Sequence, residues 1–143
     1  VVNELLQDPA IGLSLVATID SQVVAHVFFT NCKIIGSDIS TALLAPLAVA
    51  PVFQGQGIGT AIVSHGRQRL QQAGVQLIFV LGDPAYYSRL GFKDEALVEP
   101  PYPLPAEWDG AWQSMYLSDG PTDCAGRLAV PPPWQHRELW APA

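Results

Sequence analysis

The stretch VFQGQGIGTA, residues 52–61, decides how this chain is read, because it places glycine at three alternate positions, Gly55, Gly57 and Gly59. Just upstream, ISTALLAPLAVAP (residues 39–51) is apolar and alternates poorly, as a strand buried on both faces does. Just downstream, Ile58, Ile62, Gly66 and Leu70 recur every fourth residue, with Val63 and Ala73 beside them. That spacing predicts an amphipathic helix over 57–73, stopped by Gly74. A glycine-rich turn at such a junction points backbone N–H groups into one concavity, and the helix dipole adds partial positive charge there. Phosphate or pyrophosphate is the natural guest. The competing reading is a tight turn that needs glycine only for its backbone angles.

Working outward, VQLIFVLG (75–82) is a continuous apolar run and reads as a buried strand. Strand, helix and strand then form a right-handed crossover, which makes the two strands parallel. Before the loop, LSLVATIDSQVVAHVFFTNCKI (13–34) holds two β-branched runs broken at Asp20-Ser21-Gln22, a hairpin pattern. With 39–51 it forms an antiparallel meander. NELLQDPA (3–10) is expected to be a short helix or helix end closing at Asp8-Pro9. After the crossover, DPAYYSRLGF (83–92) has Asp83 as N-cap, Pro84 at the first helical position and Gly91 as stop, giving a second, short helix. VEPPYPLPAEWDG (98–110) is a Pro-rich surface excursion, AWQSMYL (111–117) a last strand, and RLAVPPPWQHRELW (127–140) a short strand with a docked tail. The expectation is one domain over 1–143, with a core over 1–117 and a tail over 118–143 packed on it.

A chain of 143 residues, 49% apolar and 14% charged, has the composition of a globular domain rather than a disordered or fibrous one. No apolar run approaches the ~20 residues of a membrane span, so no membrane role is expected. The net charge of −6 argues against a nucleic-acid partner and is compatible with a cationic amine as well as with simple solubility. Cys32 and Cys124 lack metal-ligand spacing, so no metal is expected, and two free thiols in a reducing cytoplasm are preferred to a disulfide.

Two phosphate loops can be tested against the glycines. A dinucleotide fingerprint fails, since counting G-x-G-x-x-G from Gly55 reaches Thr60 and from Gly57 reaches Ile62. A P-loop fails because the stretch has no lysine. What stands is Gln54-Gly55-Gln56-Gly57-Ile58-Gly59, a Q/R-x-x-G-x-G/A pattern. It resembles the acyl-CoA pyrophosphate loop of the GNAT superfamily of N-acetyltransferases. LAVAPVFQGQGIG (47–59) is similar to that family's fourth strand and loop. VLGDPAYYSRLGF (80–92) is similar to its fifth strand and next helix, which ends in Tyr-x-x-x-Gly-Phe, here Tyr87, Gly91 and Phe92. The resemblance covers roughly 1–117 and points to a bacterial subgroup of acetyltransferases.

The resemblance implies an α/β fold: a mixed sheet with helices on both faces, a meander followed by a parallel β-α-β unit. It implies acetyl-CoA as co-substrate and direct acetyl transfer to a primary amine. The pyrophosphate would rest on the N–H groups of Gln56, Gly57, Ile58, Gly59 and Thr60, beside Gly55, with the Gln54 side chain and the Thr60 hydroxyl assisting. Leu47, Ala48 and Val49 would meet the pantetheine arm through their backbone, with the Val49 N–H as oxyanion donor. Tyr87 would protonate the departing thiolate; the other reading is a tyrosine packed under its helix, the role expected of Tyr86. Arg89 would face either a CoA phosphate or solvent. The family has a further strand and helix ahead of 3–10, for which this chain has no residues, and an Asn before Tyr87, where this chain has Asp83.

The base is not identified: His26 is either a satisfied core histidine or a site group, and His65, Glu4, Asp38 and Glu95 read as surface positions. Trp108, Trp112, Trp134 and Trp140 read as packing or interface residues, which leaves a homodimer open. Two rival functions remain at this point, a non-catalytic acyl-CoA-binding or sensing module and a structural interaction protein on the same fold.

Overall fold

The computed structural model describes residues 2–8, 12–108, 110–117, 125–131, 135 and 140. Strands β1 (Val2–Asp8), β2 (Gly12–Ile19), β3 (Gln22–Ile34) and β4 (Ser40–Val49) follow one another as an antiparallel meander. The β2–β3 turn is made by Asp20 and Ser21, whose φ angles are 51° and 67°. Two consecutive left-handed residues match the right-handed twist of a hairpin, even without Asn-Gly.

The helix expected over 3–10 is instead β1. Seven isolated residues gain little from helix formation, whereas pairing with β2 from Val2↔Ala17 to Asp8↔Gly12 engages their backbone groups in a ladder. It also covers an edge that β2 would otherwise leave open.

Helix α1 (Ile58–Gln72) leads into β5 (Leu77–Leu81), which lies parallel to β4 as the crossover requires. Helix α2 (Pro84–Ser88), β6 (Lys93–Asp94), β7 (Val98–Glu99), β8 (Trp112–Tyr116) and β9 (Gly126–Ala129) complete the described elements. The sheet runs β1-β2-β3-β4-β5-β8-β6, and β9 pairs with both β3 and β7. No helix among the described residues is long and apolar enough to cross a membrane.

The sheet has two differently covered faces. On one, Leu15, Val27, Phe29, Leu44, Ile78 and Val80 pack with Ile62, Val63 and Leu70 of α1. Gly66 is what lets that helix sit close: a Cβ there would fall on the Phe29 ring. On the other, Cys32, Ile34, Leu43, Leu77 and Phe79 pack with Val98, Trp112, Leu128, Val130 and Trp140. Helices on both faces were expected; among the described residues this second face is covered by the Pro-rich excursion, β7, β9 and Trp140. Trp112 anchors it, stacked on Phe79 at 5.2 Å, edge-on to Trp140 at 5.9 Å, with its indole N–H donating to the Val98 carbonyl at 2.8 Å. Cys32 is a free, buried thiol, pushed up to about 12 chiefly by burial. Cys124 and Trp134 lie outside the described residues.

β4 and β5 pair only from Thr41↔Leu77 to Leu44↔Val80. β4 then runs on to Val49 paired with β3 alone, across a bulge between Val27 and Phe29. Residues 45–49 therefore have no β5 partner, and one edge of β4 is open.

Candidate active site

The open edge of β4 delivers the chain, through a short 3-10 turn at Pro51–Phe53, to the glycine loop. The three glycines serve different needs. Gly55 and Gly57 have φ of 78° and 80°, left-handed values, and a Cβ on either would meet nothing. Their reason is backbone conformation. Gly59 is buried, and a Cβ on it would fall on the Tyr86 hydroxyl oxygen; its reason is space.

Gly57 is the N-cap of α1 and supplies no capping side chain, and no acidic residue stands in the helix's first turn. The N–H groups of that turn thus open onto the cleft with the positive end of the dipole behind them. Gln54 is partly committed elsewhere, its Nε2 donating to the Val49 carbonyl at 3.0 Å. Gln56 Nε2 turns back to the Val52 carbonyl at 3.4 Å. The first bond braces the loop against the end of β4, the second against the 3-10 turn.

The Ala50 N–H donates to the Val24 carbonyl on β3 at 2.8 Å. Because successive residues of a strand turn their backbone groups to alternate edges, the Val49 N–H and C=O face the open side. The Gln54 bond to the Val49 carbonyl agrees with that direction.

The far wall is α2. Asp83 Oδ1 accepts from the Ala85 N–H at 3.0 Å and Pro84 opens the helix, as a capped short helix should. The Tyr87 ring rests on Gly82, where a Cβ would strike it. It stands edge-on to Tyr86 at 5.1 Å and to Phe92 at 5.7 Å. Burial, and secondarily the neighbouring Tyr86, push the Tyr87 phenol up to about 12. The Arg89 guanidinium lies 5.8 Å from the Tyr86 ring centroid, a cation–π arrangement on an exposed rim.

Loop, strand edge and α2 enclose a cleft of about 660 Å³. Of the residues singled out in the sequence, Leu47, Val49, Gln54, Gly55, Gly57, Ile58, Gly59, Thr60, Tyr87 and Arg89 line it. Ala48 and Gln56 are not on its wall. Ala48 alternates to the opposite face, where its β3 partner is His26. His26 is half-buried with Nε2 2.8 Å from Ser14 Oγ, and so has the features of a satisfied strand histidine away from the cleft. Glu95, expected at the surface, is half-buried: its carboxylate accepts from the N–H groups of Leu97 and Val98 and from the Ser114 hydroxyl. Tyr86, Asp83, Phe53 and Leu90 also line the cleft without having been assigned to it. For Tyr86 the signal available was its place one residue before Tyr87 on a helix too short to bury both rings.

The profile for the acetyltransferase (GNAT) domain matches residues 11–94 of this chain. This chain belongs to the GNAT acetyltransferase family. Over 139 residues it is 34% identical to the uncharacterized N-acetyltransferase YjhQ of Escherichia coli strain K12, covering 92% of this chain and 77% of that one. The crystal structure of the GNAT family N-acetyltransferase YhbS from Escherichia coli in complex with CoA superposes with a TM-score of 0.78 at 32% identity, over 86% of this chain and 69% of that one. A GNAT family acetyltransferase from Brucella melitensis, in complex with acetyl-CoA, superposes with a TM-score of 0.67 at 32% identity, over 87% and 69%. Tetrahymena GCN5, at 18% identity and a TM-score of 0.53, shares the fold. The mixed curled sheet with its parallel β4-α1-β5 unit is the GNAT acyl-CoA N-acyltransferase fold, and the GNAT chain described here is an acyltransferase.

Proposed function

We propose that the GNAT cleft takes acetyl-CoA and passes its acetyl group directly to a primary amine. The observation that carries this reading is the open edge of β4, running between the uncapped N-terminus of α1 and the ring of Tyr87. That arrangement offers N–H donors to a pyrophosphate at one end, unpaired strand amides to an extended arm between, and a phenol at the other. Complexes of relatives with CoA and acetyl-CoA support it.

In the proposed reaction the amine nitrogen, as the free base, attacks the thioester carbonyl carbon. The Val49 N–H, which faces the open edge of β4, would donate to the carbonyl oxygen as negative charge builds on it. As the C–S bond breaks, the Tyr87 hydroxyl gives its proton to the sulfur, and the proton shed by the amine goes to solvent, which also restores Tyr87. Leu47, Val49 and Ile58 line the cleft with apolar surface and keep water from the thioester. Neither His26 nor Glu95 is needed: each is already bonded.

The test is thiol release and product mass with acetyl-CoA over a panel of small amines, peptides and lysine-bearing proteins. The reading expects a product 42 mass units heavier, about the mass of an added acetyl, with at least one class. Tight CoA binding with no turnover on any class would instead make the protein a sensing module.

A further inference from the structure

We infer that Tyr86 is a ligand of the CoA pyrophosphate, reaching across the cleft from α2, and that Gly59 is glycine to admit it. This rests on the proposed function above and names one more group in that site.

The argument starts from Gly59. It sits in the first turn of α1, has no left-handed backbone to require glycine, and alanine is the better helix former. What an alanine there would meet is the Tyr86 hydroxyl, so one of the two would have to move. The phenolic oxygen therefore lies against the first turn of α1, and Tyr86 lines the same cleft as Gly57, Ile58, Gly59 and Thr60. A hydroxyl can donate to an anion seated there while the N–H groups of that turn donate from the other side. Packing does not account for the placement. The Tyr86 ring is already held edge-on to Tyr87 and beneath the Arg89 guanidinium, and its hydroxyl reaches Gly59 of α1. Arg89, whose guanidinium lies 5.8 Å from the Tyr86 ring centroid, brings positive charge to the same cleft. Tyr86 thus ties the phosphate end of the cleft to the helix that carries Tyr87.

The test compares two thioesters in Tyr86→Phe, which keeps the ring and removes only the hydroxyl. Acetyl-CoA carries the pyrophosphate; S-acetylpantetheine does not. The expected result is a loss of about tenfold or more in kcat/KM for acetyl-CoA, the effect of one hydrogen bond to a charged group. The ratio of the two kcat/KM values should shift by that same factor. Gly59→Ala should weaken CoA binding in the wild-type background and cost little once Tyr86 is Ala, since the clash is then gone. Equal losses with both thioesters, or no loss with either, overturn the assignment while leaving the proposed function standing. Failure of the wild-type protein to bind CoA overturns both.

Discussion

Tyr87→Phe is the substitution whose consequences the structure specifies most fully. The wild-type ring is seated on Gly82 between Tyr86 and Phe92, and phenylalanine fills the same space, so the change deletes a proton donor and little else. An ordinary tyrosine near pKa 10 is about half ionised at pH 10, whereas a phenol pushed up to about 12 is ionised there by only about 1%. Tyr87 therefore keeps its proton through the range where an alkyl amine of pKa about 10.4 becomes the free base. The kcat/KM profile of the wild type should rise with pH along the amine's titration and show no descending limb from a phenol below about pH 11. Tyr87→Phe should lower kcat by about 10²–10⁴-fold, keep the rising limb in place and leave the Kd for CoA within about twofold. Product formation followed by mass spectrometry from pH 6.5 to 10.5, with calorimetry for CoA, measures all three. A descending limb near pH 10 that the substitution abolishes would show a solvated phenol, and a rate within threefold of wild type would remove Tyr87 from the chemistry. The stability linkage carries a definite sign. The native state holds the phenolic proton to a higher pH than the unfolded chain does, so Tyr87's contribution to stability falls as pH climbs from about 10 to 12.

Two further expectations concern the frame around the site. Gly66→Val places side-chain atoms on the fully buried Phe29 ring and against Leu15, and should destabilise by about 3 kcal/mol; a urea midpoint equal to wild type would contradict the close helix–sheet contact. Thr41 is buried on the β4 strand with a hydroxyl oxygen that has no hydrogen-bond partner among the described residues, so Thr41→Val should be neutral or raise stability by about 1 kcal/mol. Loss of more than that amount in chemical denaturation would mean the hydroxyl is satisfied in solution.

The crossover was legible because its signals are local. The four-residue period from Ile58 to Leu70, the stop at Gly74 and the cap at Asp83 each lie within a few residues of what they control. The strand at Val2–Asp8 was not, because its conformation is decided by β2 rather than by its own apolar spacing. The glycine loop was legible as an anion turn, yet its three glycines look alike in sequence. Only the fold separates Gly55 and Gly57, which need left-handed angles, from Gly59, which yields space to a side chain 27 positions away. The same distance hid Tyr86, whose position over α1 depends on the angle between two helices. A docked tail was expected, but not the face it meets: Trp112 reaches Phe79 through the β5–β8 ladder and stands edge-on to Trp140, a long-range juxtaposition that local composition does not encode.

The most direct test of the central claim, that the open edge of β4 and the N-terminus of α1 hold the co-substrate, is a calorimetric titration of the protein with CoA, repeated with Gly57→Val. Gly57 has a left-handed φ of 80° and caps α1, so a β-branched side chain there distorts the N–H cradle without touching the apolar core. The account expects saturable one-to-one binding to the wild type, and binding weakened by about tenfold or more in the variant. Absence of binding to the wild type, or equal affinity in the two proteins, would contradict it.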